Sequence, residues 1–171
     1  MTRRLISTLA ATLALVAATP ALAWSGPQAT AQAAAPSGLD INAVSGWITS
    51  KGGVVSPIQR EQGETFFTVQ DGELTWMVFF YGCTGDVCTD IQYSAVFSNA
   101  AITLEKINAW NQGQRFLKAA FFAPGSPEGQ PSTVVQYDLL LQPGGVEQLN
   151  DPTGVWVGLV DQFARHVGYF E

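Results

Sequence analysis

Apolar residues recur along this chain at two different spacings, which predict helices and strands in turn. Residues 41–48 carry an apolar stripe at helical spacing, with Asp40 placed to cap the helix and Gly52-Gly53 placed to end it. Similar stripes predict helices over 104–111 and 155–167, with a separate turn at 146–149. Strand-like runs fill much of the rest, at 54–59, 65–70, 74–81, 91–97, 115–122 and 133–141.

The predicted strands follow one another through short turns, which favours an antiparallel sheet. Asp71-Gly72 joins two of them, and the turn-rich segment 123–131 joins the last two as a hairpin. The order is α, three or four β, α, two β, α, which is typical of the α+β class, with helices packed on an antiparallel sheet. We expect a single domain over 39–171, a length close to that of an average domain.

The strand predicted at 74–81 is apolar on both of its faces, as expected of a central strand. One face carries Trp76, Val78 and Phe80, and the other carries Met77, Phe79 and Tyr81. Each face therefore needs cover, either from the helices or from a partner.

The N-terminus has the layout of a secretory signal peptide. Arg3 and Arg4 precede an apolar run over 9–18, and Ala21-Leu22-Ala23 forms a small-residue cleavage pattern. We expect cleavage after Ala23, a flexible leader over 24–38, and a mature chain that is periplasmic or secreted. The alternative is that the apolar run stays in place as a membrane anchor.

Export would leave an acidic protein. The full chain has 8 basic and 14 acidic residues and a formal net charge of −6, and loss of residues 1–23 removes two basic residues and no acidic one, giving −8. Phosphate backbones and anionic lipid surfaces repel such a chain. Nucleic acid is therefore not an expected partner, and neither is a membrane once the signal peptide is removed.

The segment YGCTGDVC, residues 81–88, contains both cysteines of the chain and is predicted to form a Gly-rich turn between two strands. In an exported protein, Cys83 and Cys88 favour a structural disulfide. The alternative is redox exchange, but four intervening residues depart from the Cys-x-x-Cys spacing of thiol oxidoreductases.

A family resemblance rests on three groups of residues. Phe-Tyr-Gly-Cys at 80–83 precedes Leu-Glu-Lys-Ile-Asn-Ala-Trp-Asn at 104–111, which runs into Arg115-Phe116, and a helix from Trp156 to Phe163 closes the chain. Together they resemble the YbjN family, described as bacterial sensory transduction regulators, over nearly all of 39–170. The resemblance implies a fold like that of type III secretion chaperones, which have the order α-β-β-β-α-β-β-α and bind partner segments, often as dimers. It brings no catalytic residues.

Residues with catalytic or metal-binding potential are few. His166 is the only histidine, which excludes a multi-histidine metal site, and we expect neither a metal nor a cofactor. Two carboxylate pairs, Glu61 with Glu64 and Asp86 with Asp90, have the chemistry of acid–base catalysis, although solvated loop charge is the simpler interpretation.

Two groups of residues are candidates for a binding surface. One is the strand row Met77, Phe79 and Tyr81, and the other is the helix end Asn108, Trp110, Asn111 and Arg115. In the second group the alternative is structural, because Trp110 continues an apolar helical stripe and Asn111 is suited to end the helix.

Two classes of function remain open. We expect a non-enzymatic binding or chaperone-like regulatory module of the bacterial cell envelope, which engages a protein or peptide partner or a second copy of itself. The alternative is a small exported hydrolase whose carboxylates come together from distant positions. A deep pocket with converging acidic side chains would favour the enzyme, and a shallow apolar face would favour the binding module.

Overall fold

The computed structural model describes residues 37–125 and 129–170. The elements in chain order are β1 (Leu39–Asp40), α1 (Ile41–Ser50), β2 (Val54–Val55), β3 (Gln59–Glu61), β4 (Glu64–Asp71), β5 (Leu74–Thr84), β6 (Val87–Ser98), α2 (Leu104–Gly113), β7 (Lys118–Phe122), β8 (Ser132–Leu140), a 3-10 helix (Val146–Leu149) and α3 (Asn150–His166). The predicted signal peptide and most of the predicted leader lie outside the described residues.

The strands form one antiparallel sheet, and the predicted α+β class is confirmed. The strand order is β2-β4-β5-β6-β8-β7, with β1 paired to β6 and β3 paired to β4. β7 and β8 form the predicted hairpin, and β8 lies between β7 and β6. β5 and β6 are therefore in the middle of the sheet, and β7 is at one edge.

The helices bury their apolar stripes against one face of this sheet. Trp156 of α3 packs against Trp76 of β5 and Tyr93 of β6, with ring centroids 5.9 and 5.8 Å apart. Further along, Phe163 of α3 packs against Phe97 of β6 at 5.5 Å. Large aromatic side chains of this kind supply much of the apolar area that a core buries.

α1 begins where the sequence predicts. The Asp40 carboxylate accepts hydrogen bonds from the backbone N–H groups of Asn42 and Ala43, at 2.9 and 3.1 Å. These bonds satisfy two amides that the first turn of a helix leaves without an intrahelical partner. Val44 and Trp47 of α1 are buried in the core.

The structure corrects several predicted boundaries. The strand expected at 54–59 is two short strands, β2 and β3, separated by a segment that contains Pro57, which has no N–H to donate to a sheet. α3 begins at Asn150 instead of residue 155, with Pro152 in the first helical turn, where its missing N–H is tolerated.

The largest correction concerns the cysteines. They do not lie in a turn: Cys83 belongs to β5 and Cys88 to β6, and they face each other across the ladder. The turn is reduced to the two residues Gly85 and Asp86 between the strands. Gly85 has a positive φ of 63°, a conformation that suits a two-residue hairpin turn.

Candidate functional site

The candidate site is the face of the sheet that points away from the three helices. Side chains alternate along β5, and Trp76, Val78 and Phe80 are buried on the helix side. Met77 and Phe79 therefore project from the opposite side, where both are only partly buried. We call this second side the open face.

Apolar side chains occupy the β4–β5 part of the open face. Phe66 and Phe79 are opposite each other in the ladder, and their ring centroids lie 5.1 Å apart with 31° between the ring planes. Met77 lies two residues before Phe79 and pairs with Thr68. At the same end of the sheet as Tyr81, Leu140 of β8 is 77% exposed. A partly exposed apolar patch of this kind, bordered by polar groups, is typical of a contact surface.

Carboxylates surround Tyr81 at one end of the open face. The Tyr81 side chain is 38% exposed and pairs with Asp90 across the ladder. Partial burial raises the pKa of the Tyr81 phenol, and the negative charges of Glu64 and Asp138 raise it further. This end of the face is therefore negatively charged, with an apolar ring in the middle of three carboxylates.

A row of polar side chains crosses the β6–β8 part of the open face. The Gln92 amide donates to the Asp138 carboxylate at 2.7 Å, and the Gln136 amide donates to the Gln92 carbonyl at 2.8 Å. These bonds link side chains of β6 and β8 beside Phe79, which pairs with Gln92. The β4–β5 part of the open face is thus its apolar half, whereas the β6–β8 half carries this polar row together with the exposed apolar side chains of Val96 and Leu140.

The residues of the second predicted group, at the end of α2, lie in different environments, some in the core and some at the surface. Trp110 is only 5% exposed and packs against Phe163, so it belongs to the core, as the structural alternative held. Its indole N–H donates to the Leu117 carbonyl at 3.1 Å. Asn108 is exposed and lines a groove on the surface of α2. Arg115 is also exposed and stacks on Phe116, with 5.1 Å between the guanidinium carbon and the ring centroid.

Asn111 attaches α2 to the edge strand β7. Its side-chain amide donates to the Ala119 carbonyl at 2.8 Å and accepts from the Ala119 N–H at 2.9 Å. The amide thus makes the pair of bonds that a neighbouring strand would make. Lys118 reinforces the junction by donating to the carbonyls of Asn111 and Gln114, at 3.1 and 2.6 Å. Asn111 therefore fixes the junction between helix and strand.

The two predicted groups do not come together. The row of Met77, Phe79 and Tyr81 lies on the open face, whereas α2 packs on β7 and against α3 on the helix side. The sequence reading missed Phe66, Gln92 and Asp138, which neighbouring strands bring beside that row. Only the strand register could have identified them, because each is unremarkable within its own segment.

The predicted disulfide between Cys83 and Cys88 is present. It joins the ends of β5 and β6 close to Tyr81, so it holds together the hairpin that carries the acidic end of the open face. Cys88 is fully buried and Cys83 is exposed. The bond therefore stabilises one border of the candidate site.

The carboxylates considered for catalysis have other contacts. Asp86 forms an ion pair with Arg60 at 2.6 Å, between two side chains that are each about half exposed. Asp90 accepts a hydrogen bond from the Thr89 hydroxyl at 2.5 Å. Glu61 and Glu64 are exposed and opposite each other where β3 pairs with β4. His166, at the end of α3, has its Nε2 2.9 Å from the Lys106 carbonyl oxygen.

The described part of the chain shows neither a group of metal ligands nor a helix that could cross a membrane. Within residues 37–125 and 129–170, no three His, Cys, Asp or Glu side chains are grouped so that they could hold a metal ion. No helix in the same ranges is long and apolar enough to cross a membrane.

Comparison with known proteins identifies the family of this chain. The chain is similar to the crystal structure of YbjN from E. coli, described as "a putative transcription regulator", with 14% sequence identity and a TM-score of 0.48 over 74% of this chain and 87% of that one. No curated protein matches the chain. The family described as "YbjN: Putative bacterial sensory transduction regulator" matches residues 40–168, which is most of the chain. The chain therefore belongs to the YbjN family.

Proposed function

We propose that this protein is a non-enzymatic regulatory module of the bacterial cell envelope, which binds a partner protein through the open face of its sheet. The observation that carries the proposal is the pairing of Phe66 with Phe79 on the side of the sheet away from the helices. Membership of a family of regulators supports a binding role. Aromatic anchors beside hydrogen-bonded polar side chains are characteristic of protein interfaces.

The charges of the open face favour a partner with basic residues. Glu64, Asp90 and Asp138 surround Tyr81 at one end of the face, next to the apolar half. A matching surface would place apolar side chains over Phe79 and Lys or Arg side chains over the three carboxylates. A second copy of this chain is a poorer match, because the described part of the chain is acidic and offers few basic side chains to meet these groups.

The envelope location rests on two features. The N-terminus has the layout of a signal peptide, and the Cys83–Cys88 disulfide suits an oxidising compartment. A covalent bond at the end of the β5–β6 hairpin would keep the acidic end of the open face in place outside the cytoplasm.

The test compares wild type with Phe79→Asp. This substitution puts a charge in the middle of the apolar half, so it should weaken binding at least about 30-fold while leaving a folded domain. Leu104→Asp is the matched control, because it makes the same change at a side chain that is 55% exposed on the first turn of α2, on the other side of the sheet. It should bind as wild type does.

The experiment has two stages. The mature protein and the two variants are used as baits in an envelope extract, and a protein retained by wild type and Leu104→Asp but lost by Phe79→Asp is identified and purified. Direct titration of that protein, at low and high salt, then measures binding. Salt should weaken the interaction, because exposed carboxylates contribute to it. The proposal fails if Phe79→Asp binds normally, or if it unfolds the domain, since Phe79 would then belong to the core.

A further inference from the structure

Strand β8 extends beyond the edge strand that covers it. It runs from Ser132 to Leu140, but its pairing with β7 ends where Gln136 meets Lys118. Residues 137–140 remain paired with β6 on one side and have no described strand on the other. A strand edge of this kind presents backbone N–H and carbonyl groups that another extended chain can bond.

The register of β8 shows which backbone groups point outward at this edge. The N–H of Leu141, directly after β8, donates to the carbonyl of Thr89 in β6 at 2.8 Å. Because backbone groups alternate in direction along a strand, those of Asp138 and Leu140 point away from β6. No residue in the described part of the chain forms a backbone hydrogen bond with them on that side. We call these outward N–H and carbonyl groups the edge window.

Side-chain amides cover neighbouring positions in the same part of the sheet. Gln148 accepts a hydrogen bond from the N–H of Gln142 at 2.8 Å and donates to its carbonyl at 3.1 Å. Asn111 makes the same pair of bonds with Ala119 of β7. Each amide thus takes the place of a missing strand. The edge window is therefore bounded by β7 at one end and by Gln148 at the other, and it remains open between them.

An apolar groove borders the edge window on the helix side of the sheet. Its volume is about 320 Å³, and both residues of the window line it together with Leu139, Leu149 and Pro152. Leu139 is partly buried and packs against the core, which places its side chain on the helix side. Side chains alternate along a strand, so every second side chain of a strand added at the edge window would enter this groove. An apolar side chain suits it.

Carboxylates border the edge window on the open face. The Asp138 side chain is exposed there, and Asp90 is opposite Leu140 in the ladder. The remaining side chains of an added strand would lie over these carboxylates, where Lys or Arg is favoured. A second copy of this chain is a poorer match, because edge-to-edge pairing would bring the two Asp138 side chains close together.

We propose that the edge window binds an extended segment of a partner protein, which adds a short strand to β8, antiparallel as the other strands are. The backbone of the segment pairs with the N–H and carbonyl groups of Asp138 and Leu140. Its apolar side chains enter the groove beside Leu139, and its basic side chains lie over Asp138. The inference does not rest on the proposed open-face partner, because backbone groups at the edge of the sheet carry it. A short probe makes few contacts, so we expect a dissociation constant of about 0.1–1 mM.

The capped peptide acetyl-Val-Lys-Val-Lys-Val-amide is the probe, and the proton–nitrogen NMR spectrum of the mature protein provides the readout. At a probe concentration about ten times the dissociation constant, hydrogen exchange of the Asp138 and Leu140 amides should slow about 10-fold. Both amide signals should also move downfield. The amide signals of Tyr137 and Leu139, whose N–H groups point toward β6, should change little.

Methylation of the probe backbone separates strand pairing from the other contacts. In an antiparallel strand whose Lys side chains lie over Asp138, the Lys N–H groups point toward β8 and the Val N–H groups point away. N-methylation of both Lys residues should therefore weaken binding at least about 10-fold, whereas N-methylation of the central Val should preserve it. Replacement of both Lys residues by Glu should weaken binding about 3- to 10-fold, a modest factor because Asp138 is exposed.

Leu140→Pro tests the edge window from the side of the protein. Leu140 is 77% exposed and its N–H points away from β6, so the fold should tolerate proline there. The change removes one donor and puts the proline ring where the added strand would lie, so binding should fall at least about 10-fold. Leu140→Ala, which keeps the N–H, is the matched control and should preserve most of the binding. The methylated probes make the same test without any change in the protein.

The inference is overturned if millimolar probe moves neither amide signal, or if the probe methylated at Lys binds as well as the unmodified one. It also fails if the Asp138 and Leu140 amides are already protected from exchange in the free protein, because the chain itself or a second copy would then cover the edge. Phe79→Asp should still bind the probe, so this inference and the open-face proposal can fail separately.

Discussion

Replacing Asn111 by alanine should destabilise the protein through the edge of the sheet. The change removes two hydrogen bonds to Ala119, of 2.8 and 2.9 Å. Each contributes about 0.5–1.5 kcal/mol net, which gives about 1–3 kcal/mol for the pair. Water can reach the strand edge and hydrate the released groups, so we expect the lower part of this range, about 1–2 kcal/mol.

Asn108→Ala is the matched control. Asn108 is on the same helix and exposed, and alanine is the better helix former at both positions by about 0.5 kcal/mol. The difference between the two variants therefore isolates the contacts with β7. Urea denaturation followed by circular dichroism should show Asn111→Ala unfolding about 0.5–1 M earlier than Asn108→Ala, for an ordinary dependence on urea.

A second measurement follows from the position of β7 at the edge. Loss of the Asn111 amide exposes the N–H and carbonyl of Ala119, which can then pair with another chain. Light scattering should show more association at high concentration for Asn111→Ala than for Asn108→Ala. If the two variants unfold at the same urea concentration, the Asn111 bonds contribute nothing, and the role given to this residue is refuted.

Three further predictions concern stability. Cys83→Ser should destabilise the fold by about 2 kcal/mol, the value that the loop-closure model gives for this disulfide. A melting curve should show a protein that is still folded but melts earlier, and complete unfolding would contradict the local role of the disulfide. Burial raises the pKa of Tyr93 to about 12, so its contribution to stability should be full below pH 10 and fall by about 2–3 kcal/mol as pH rises to 12. Tyr93→Phe should remove this part of the decline and leave the part due to Tyr81, and an unchanged decline would refute the role of Tyr93. Trp110→Phe removes the bond to Leu117 and leaves a smaller ring in the core, so it should lose about 2–4 kcal/mol in urea denaturation; a loss below about 0.5 kcal/mol would place Trp110 outside the core.

The sequence correctly predicted those helices and strands whose own residues favour the structure that packing in the folded protein also requires. α1 has both a cap at Asp40 and an unbroken apolar stripe, and β5 is apolar on both sides because it is central. Where local signals were ambiguous, the prediction failed. Gly82, Thr84 and Gly85 around the first cysteine suggested a turn, but cross-strand pairing extends β5 through Thr84.

The candidate site was only partly predictable for a related reason. The row that contains Phe79 is visible in the sequence, but which side the helices cover depends on where Trp156 and Phe163 pack. The neighbours of the row come from strands distant in sequence, as Asp138 does. Trp110 and Asn111 were distinctive in the sequence, and we considered them for binding. In the structure they attach α2 to the segment that leads into and includes β7.

Cross-linking from the open face tests the central proposal most directly. A photoreactive phenylalanine analogue is incorporated at Phe79, or at Leu104 as the control, in the full-length chain expressed in living bacterial cells. Irradiation should join position 79 to a specific envelope protein and leave position 104 without that product, and Glu64→Gln should reduce the yield because it removes one carboxylate beside Tyr81. Cross-links from 79 only to a second copy of the chain, or equal products from 79 and 104, would contradict a partner-binding open face.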